Sequence, residues 1–347
     1  MREEKTREEK TREEKTREEK TREEKAQEEK AQVEKAQEEK AQVQNPKPAA
    51  AADRAAGTVT AAAIGAARSV LFVPGSRPDR FAKATASGAD LVVIDLEDAV
   101  GPGGKDEARE SVVAWPHLTG VAVRINAAGT DWYEADLAAV LAAHATGKGP
   151  AAVMLPKADA VTAAATAAAL PAEVALLPLI ESARGVRDAD RIAECDRVVR
   201  LVFGSVDYAH DIAATPRPPA EDALLYARSV LVNSSRAAGL AAPVDGVTLA
   251  LDDPDITERE ARRSRDLGFG GKLCLHPRQL PGVHRAFLPT GEEVAWARRV
   301  ADAARRSDGG AARLDGEILD KPRLEHALRV LAQAGIGGGG VQASGGV

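Results

Sequence analysis

From Arg68 onward, short apolar runs alternate with Ala-rich stretches of helical length. The runs occupy 70–73, 91–95, 121–125, 152–155, 175–180, 201–203, 244–247 and 272–275. Eight strands separated by helix-length segments predict a parallel (β/α)₈ barrel, an α/β fold. The seventh run, VDGV, is short and gives the weakest signal. A doubly wound sheet is the main alternative, but no GxGxxG follows the first run, so dinucleotide binding lacks its signature.

The first 45 residues read differently. A five-residue unit, TREEK, repeats and drifts into AQEEK and AQVEK. Five residues advance about 140° around a helix, so no apolar stripe forms and no heptad seam exists. The segment is expected to be a solvated helix or a fluctuating coil. Residues 46–67, with Pro46, Pro48 and many alanines, read as a linker. The barrel is assigned to 68–300, a C-terminal segment to 301–335, and a flexible tail to 336–347, with GIGGGG at 335–340 read as a loose end.

The formal net charge is −6, of which the first 45 residues supply 13 positive and 15 negative side chains. The remainder is mildly acidic, which argues against a nucleic-acid binder. Cys195 and Cys274 are far apart and form no zinc or disulfide framework. No apolar run reaches the roughly 18 residues of a membrane helix, and the charged N-terminus is unlike a signal peptide. A cytoplasmic protein is expected, with no membrane partner.

The polar residues cluster just after the strands. Pro74, Gly75 and Ser76 follow the first, while Asp95, Glu97 and Asp98 end the second. Arg124 and Asn126 end the third, Pro156 and Lys157 the fourth. Glu181 follows the fifth, Asp207 the sixth and His276 the eighth. In a (β/α)₈ barrel those ends share one face, where active sites sit. Glu181 and Asp207 are hard oxygen donors at consecutive strand ends and suit Mg²⁺, with Mn²⁺ as a substitute. Taken singly, each would serve as well as a helix cap or a surface ion pair. Arg124 can clamp a carboxylate through two parallel hydrogen bonds, and can equally pair with the DLED segment. Asp95, Glu97 and Asp98 would hold metal-bound waters or orient Arg124. His276 reads first as a hydrogen-bonded structural residue, with acid–base chemistry as the other option. GPGGK at 101–105 lacks the Ser/Thr and the spacing of a P-loop.

Taken together, RSVLFVPGSRPDRFAK, DLEDAVGPGGKDEAR, VRIN, MLPK, LIESARG, FGSVDYAHD, LGFGGKLCLHPRQ and LDGEILDKP carry a resemblance that covers the core from Arg68 to about Gly335. The chain resembles the citrate lyase β-subunit-like and malyl-CoA lyase-like enzymes of the HpcH/HpaI aldolase superfamily. The resemblance implies a TIM barrel, usually trimeric, that binds Mg²⁺ and a CoA thioester. It places the metal on Glu181 and Asp207, the keto-acid clamp on Arg124, and Phe72, Arg77 and Lys83 against CoA. It also implies a C-terminal lid over a neighbouring protomer's site, with Asp320 as the acid–base. Spacing alone makes Asp320 a helix N-cap with Pro322 in the first turn.

The activity so implied is reversible Claisen-type cleavage of a 3-hydroxy-3-carboxyacyl-CoA, of malyl, methylmalyl, citramalyl or citryl type. The products would be acetyl- or propionyl-CoA and a keto or glyoxylic acid. Three other enzymes fit the same residues: a malyl-CoA-type thioesterase, a citrate lyase β subunit acting on an acyl-carrier-protein thioester, and a free-acid aldolase. An inert barrel whose charged tail recruits partners is the non-enzymatic reading.

Overall fold

The computed structural model describes residues 59–215, 222–306, 312–314 and 317–336. The repeat at 1–45 and nearly all of the expected tail lie outside these. The chain forms two compact units, which part between Leu288 and Pro289, twelve residues before the expected end of the barrel.

The first unit is a closed barrel of eight parallel strands in sequential order. They are β1 (Ser69–Pro74), β2 (Leu91–Asp95), β3 (Ala122–Arg124), β4 (Ala152–Leu155), β5 (Ala175–Ile180), β6 (Val202–Phe203), β7 (Val244–Asp245) and β8 (Gly271–Cys274). Each expected run overlaps one strand, and the register closes through Val70 opposite both Leu91 and Leu273. β6 and β7 are the short ones, joined through Val202 and Val244.

Alternation along the strands divides the core into two apolar layers. Leu71, Ile94, Val123, Val153, Leu176 and Ile180 belong to one large cluster with residues of the surrounding helices. Val70, Leu91, Val93, Ala122, Met154, Leu177, Leu179, Val202 and Leu273 form a second cluster, which fills the lumen. Strands in β2, β4 and β5 are buried at every position, as expected for parallel strands covered on both faces. Side chains on a strand alternate with period two. Continuing the lumenal parity past Val93, Ala122 and Leu179 arrives at Asp95, Arg124 and Glu181. The pleat thus aims the charged residues inward where the apolar filling ends.

Part of the segment expected to be a linker is helical. Helix α1 (Ala61–Ala66) is capped by Thr60, whose hydroxyl accepts from the Ala63 amide, and it buries Ile64. Arg200, wholly buried, donates to the carbonyls of Ile64, Ala67, Ala242 and Pro243. Burial pushes this guanidinium down to about 10, because no carboxylate stands against it in those bonds. The helix therefore belongs to the barrel unit.

The second unit contains α2 (Gly291–Arg306), β9 (Ala312–Leu314) paired antiparallel with β10 (Glu317–Leu319), and α3 (Lys321–Gln333). Val294, Ala297, Val300, Ala327, Val330 and Leu331 make its small core. Among the described residues no helix is long and apolar enough to cross a membrane.

Candidate active site

A cavity of about 400 Å³ opens at the C-terminal ends of the strands. Phe72, Asp95, Arg124, Glu181 and Asp207 line it, with Leu179, Phe203, Val247, Leu273 and Leu275 as its apolar wall. With Asp98, which also lines it, six of the residues expected from sequence share one chamber.

Arg124 is 8% exposed. Its Nε donates to Asp95 Oδ1 at 2.7 Å and its Nη2 to Asp95 Oδ2 at 2.6 Å. Nη1 stands 3.0 Å from Glu97 Oε2 and 3.6 Å from Asp98 Oδ2. The Phe72 ring lies 4.8 Å below the guanidinium carbon, a cation–π contact. Three carboxylates around one cation outweigh its desolvation and hold it well above the usual arginine range. Arg124 thus pairs with the DLED segment and also lines the cavity.

Glu181 directly follows β5 and is 3% exposed. Its Oε1 accepts from the Lys157 amide at 2.8 Å. Burial, and then the nearby Glu97 and Asp207 carboxylates, push its carboxyl up to about 8. Asp207 sits in the first turn of a helix (Ser205–Asp211) directly after β6. Gly204 brings that backbone against Glu181: a Cβ there would lie 2.4 Å from Glu181 Cβ and 2.5 Å from Oε2. Among the described residues no group of three or more His, Cys, Asp or Glu closes on one metal-sized point. The donors are two oxygen side chains beside an open cavity, and Mg²⁺ characteristically takes one or two carboxylates while keeping waters. The negative charge concentrated around Glu181 is what a divalent cation would relieve. The residues fit that ion, which Glu181 and Asp207 would hold.

Glu97, 6% exposed, spans both halves of this arrangement. Lys157 Nζ donates to its Oε1 at 2.8 Å. Its Oε2 makes no hydrogen bond despite the short ion pair with Arg124. Lys157 itself has φ of +50°, a left-handed conformation that is costly for a residue with a Cβ. That strain turns its amide toward Glu181 while its ammonium reaches Glu97.

Arg77, Lys83, His276 and Asp320 are not among the residues that line the chamber. Arg77 and Lys83 are exposed, on the turn and short helix after β1, and Arg77 pairs with Asp79. His276 caps a short turn, its Nδ1 accepting from the Arg278 amide at 3.1 Å. Asp320 belongs to the second unit and is the N-cap of α3, with Oδ1 accepting from the Arg323 amide at 3.0 Å. Sequence reasoning did not single out Gly204, and it passed over Lys157 except as a strand end. A lysine ending MLPK at a barrel mouth was the available signal for the latter. For Gly204, the FGS turn between β6 and Asp207 gave only a weak one.

A parallel (β/α)₈ barrel with an acidic, arginine-containing chamber at its strand C-termini defines an enzyme scaffold. Residues 68–277 match the model of the HpcH/HpaI aldolase/citrate lyase family. The chain belongs to that family and is a carbon–carbon lyase by class. It is 38% identical over 282 residues to the citrate lyase subunit beta-like protein of Deinococcus radiodurans, covering 76% of this chain and 96% of that one. It is 33% identical over 276 residues to a (3S)-malyl-CoA thioesterase of Cereibacter sphaeroides, covering 77% and 94%. Among solved structures, CitE of Mycobacterium tuberculosis in complex with magnesium, acetoacetate and coenzyme A superposes with a TM-score of 0.68. That match has 36% identity and covers 78% of this chain and 99% of that one.

Proposed function

We propose that the protein is a Mg²⁺-dependent acyl-CoA lyase. It would cleave a 3-hydroxy-3-carboxyacyl-CoA of malyl, methylmalyl, citramalyl or citryl type into acetyl- or propionyl-CoA and a keto or glyoxylic acid. The observation that carries this reading is the chamber itself, in which Glu181 and Asp207 stand beside the buried, forked Arg124. A relative's complex with magnesium, a keto acid and coenzyme A supports it.

Mg²⁺ held by Glu181 and Asp207 would supply Lewis-acid polarisation of the keto acid's oxygens. Arg124, fixed by Asp95 below and Glu97 beside, offers its remaining N–H groups to the substrate carboxylate. Phe72 keeps water from the underside of the guanidinium, which strengthens that pairing. The apolar wall receives the carbon skeleton. Cleavage breaks the C2–C3 bond as the C3 hydroxyl releases its proton to solvent and becomes a carbonyl. The electron pair passes to the thioester as an enolate. Asp320 then protonates C2, and removes the same proton in the synthetic direction. In this reading Phe72, Arg77 and Lys83 lie along the CoA, and the protein works as a homo-oligomer, a trimer, with Asp320 on a lid.

The 33% identical thioesterase favours a second reading, hydrolysis of the thioester in the same site. Mass-spectrometric product analysis with a panel of these thioesters, with Mg²⁺ and with excess EDTA, separates the two. Metal-dependent acetyl- or propionyl-CoA identifies the lyase; an intact hydroxy-diacid with free CoA identifies the thioesterase. No turnover by folded, metal-loaded protein refutes both.

A further inference from the structure

The segment that carries Asp95, Glu97 and Asp98 is held from below by a residue outside the chamber. Lys105 opens a ten-residue helix, Lys105–Ala114, and its neighbours Asp106 and Glu107 are the residues that a helix N-terminus favours. A cation in that first position opposes the helix dipole, and this one is also 6% exposed. Two local rules are broken at once, which marks a position whose side chain serves something beyond its own helix.

The side chain turns toward the β2 loop. Nζ lies 2.7 Å from Leu96 O, 2.7 Å from Glu97 O and 2.6 Å from Asn126 Oδ1. Three acceptors require three N–H donors, so the group is an ammonium with every proton committed. The Trp132 ring, 5.1 Å away, covers it on one side. Asn126 is fixed in turn by Asp136 Oδ2, which accepts from its amide N at 2.9 Å and from Nδ2 at 2.6 Å. A carboxylate only accepts and an ammonium only donates, so the Asn126 amide has one possible orientation. Arg109 Nε anchors Asp136 at 2.7 Å. A polar chain thus runs from the half-buried Arg109 through the buried Asp136, Asn126 and Lys105 to the loop carbonyls.

We propose that Lys105 is a positioning residue: its ammonium, oriented by Asn126 and Asp136, fixes the Leu96 and Glu97 backbone so that the Asp95 and Glu97 carboxylates hold Arg124 in its working orientation. Its effect on keto-acid binding rests on the reading of Arg124 given under Proposed function. Its effect on the loop does not.

The test compares Lys105→Met with wild type and with Val283→Ala, a cavity variant in the barrel's outer layer that serves as the control for general destabilisation. Backbone amide exchange is followed residue by residue, and pyruvate is titrated into protein saturated with MgCl₂. In Lys105→Met the amides of Leu96, Glu97, Ala99 and Val100 are expected to exchange at least tenfold faster, with those of Val153 and Leu176 changed no more than in Val283→Ala. Pyruvate affinity should fall at least tenfold in Lys105→Met and stay within twofold in the control. If Lys105→Met does not fold, Asn126→Ala, which keeps the ammonium with two acceptors, is expected to loosen the same four amides. Loop exchange matching wild type, or acceleration spread evenly through the barrel, overturns the proposal. If wild-type protein binds no pyruvate with Mg²⁺, the keto-acid reading falls while the exchange data still decide the role of Lys105.

Discussion

Arg124 and Asp95 meet fork to fork, Nε to Oδ1 at 2.7 Å and Nη2 to Oδ2 at 2.6 Å. Two of the five guanidinium protons are therefore committed before any substrate arrives. In the proposed mechanism the keto acid takes the edge formed by the outer proton of Nη2 and by Nη1, which stands beside Glu97. The pairing turns a long, flexible side chain into a rigid donor, and the cost of ordering it is met during folding rather than binding.

A lysine cannot reproduce that double contact and still present a second donor edge. Arg124→Lys is expected to lower kcat/KM at least a hundredfold and to weaken pyruvate binding by a similar factor, with Mg²⁺ binding changed much less. Steady-state kinetics beside a metal titration read the two effects separately. Equal losses in metal and keto-acid affinity would show that Arg124 supports the whole chamber instead.

Gly204 leaves no room for a side chain, because the missing Cβ would overlap Glu181 Cβ at 2.4 Å and Oε2 at 2.5 Å. Gly204→Ala should swing the Glu181 carboxylate out of line with Asp207. Mn²⁺ titration followed by electron paramagnetic resonance is expected to show at least tenfold weaker binding. Wild-type affinity in a folded Gly204→Ala protein would remove Glu181 from the metal site.

The Glu181 carboxyl is raised from about 4.5 to about 8 in the folded protein without metal. Between those values the native state holds a proton that the unfolded chain has released. The native state binds more protons, so stability falls as pH rises through that window. Urea unfolding in EDTA at pH 5, 6.5 and 8 should show the decline, and Glu181→Gln should flatten it. Metal affinity should run the other way and rise toward pH 8, because the metal competes with that proton. A flat stability profile in the wild type would mean that Glu181 is already ionised.

Asp320 caps α3, and the proposed mechanism also gives it the proton transfer at C2; one pair of substitutions separates the two. Asparagine is as good an N-cap as aspartate, whereas alanine costs about 1 kcal/mol at that position. Asp320→Asn should therefore keep thermal stability and abolish turnover, while Asp320→Ala loses both. Hydrogen–deuterium exchange at C2 of acetyl-CoA, catalysed by the enzyme with Mg²⁺, is expected to vanish in each. Wild-type exchange in Asp320→Asn would assign the proton transfer to another group.

Much of this arrangement was legible in the sequence because it follows from periodicity. The eight apolar runs located the eight strands to within a few residues, and polar residues at their ends marked the mouth. Glu181, Asp207 and Arg124 stood out since charged residues directly after apolar strands are few. Lys105 was hidden for a physical reason: it sits in a glycine-rich stretch that invites comparison with a P-loop, and two of its three partners are backbone carbonyls. Lys157 was equally obscure, because its left-handed backbone has no sequence signal in a residue other than Gly, Asn or Asp. The β7 run was expected to cover four residues and pairs over two; beyond them Gly246 packs against Ser205 where a side chain would collide.

The region shared with the family begins at residue 68, and that is where a truncated expression boundary would naturally be cut. The buried Arg200 makes that cut unsafe. Its guanidinium takes two of its four carbonyl acceptors from Ile64 and Ala67, both upstream of the boundary. A chain starting at Arg68 would leave a cation in the barrel floor short of half its acceptors, at roughly 1–3 kcal/mol or more for each unmet group. A shortened form that keeps α1 and its Thr60 cap retains those acceptors, so the smallest autonomous catalytic fragment is longer at its front than common ancestry alone would indicate.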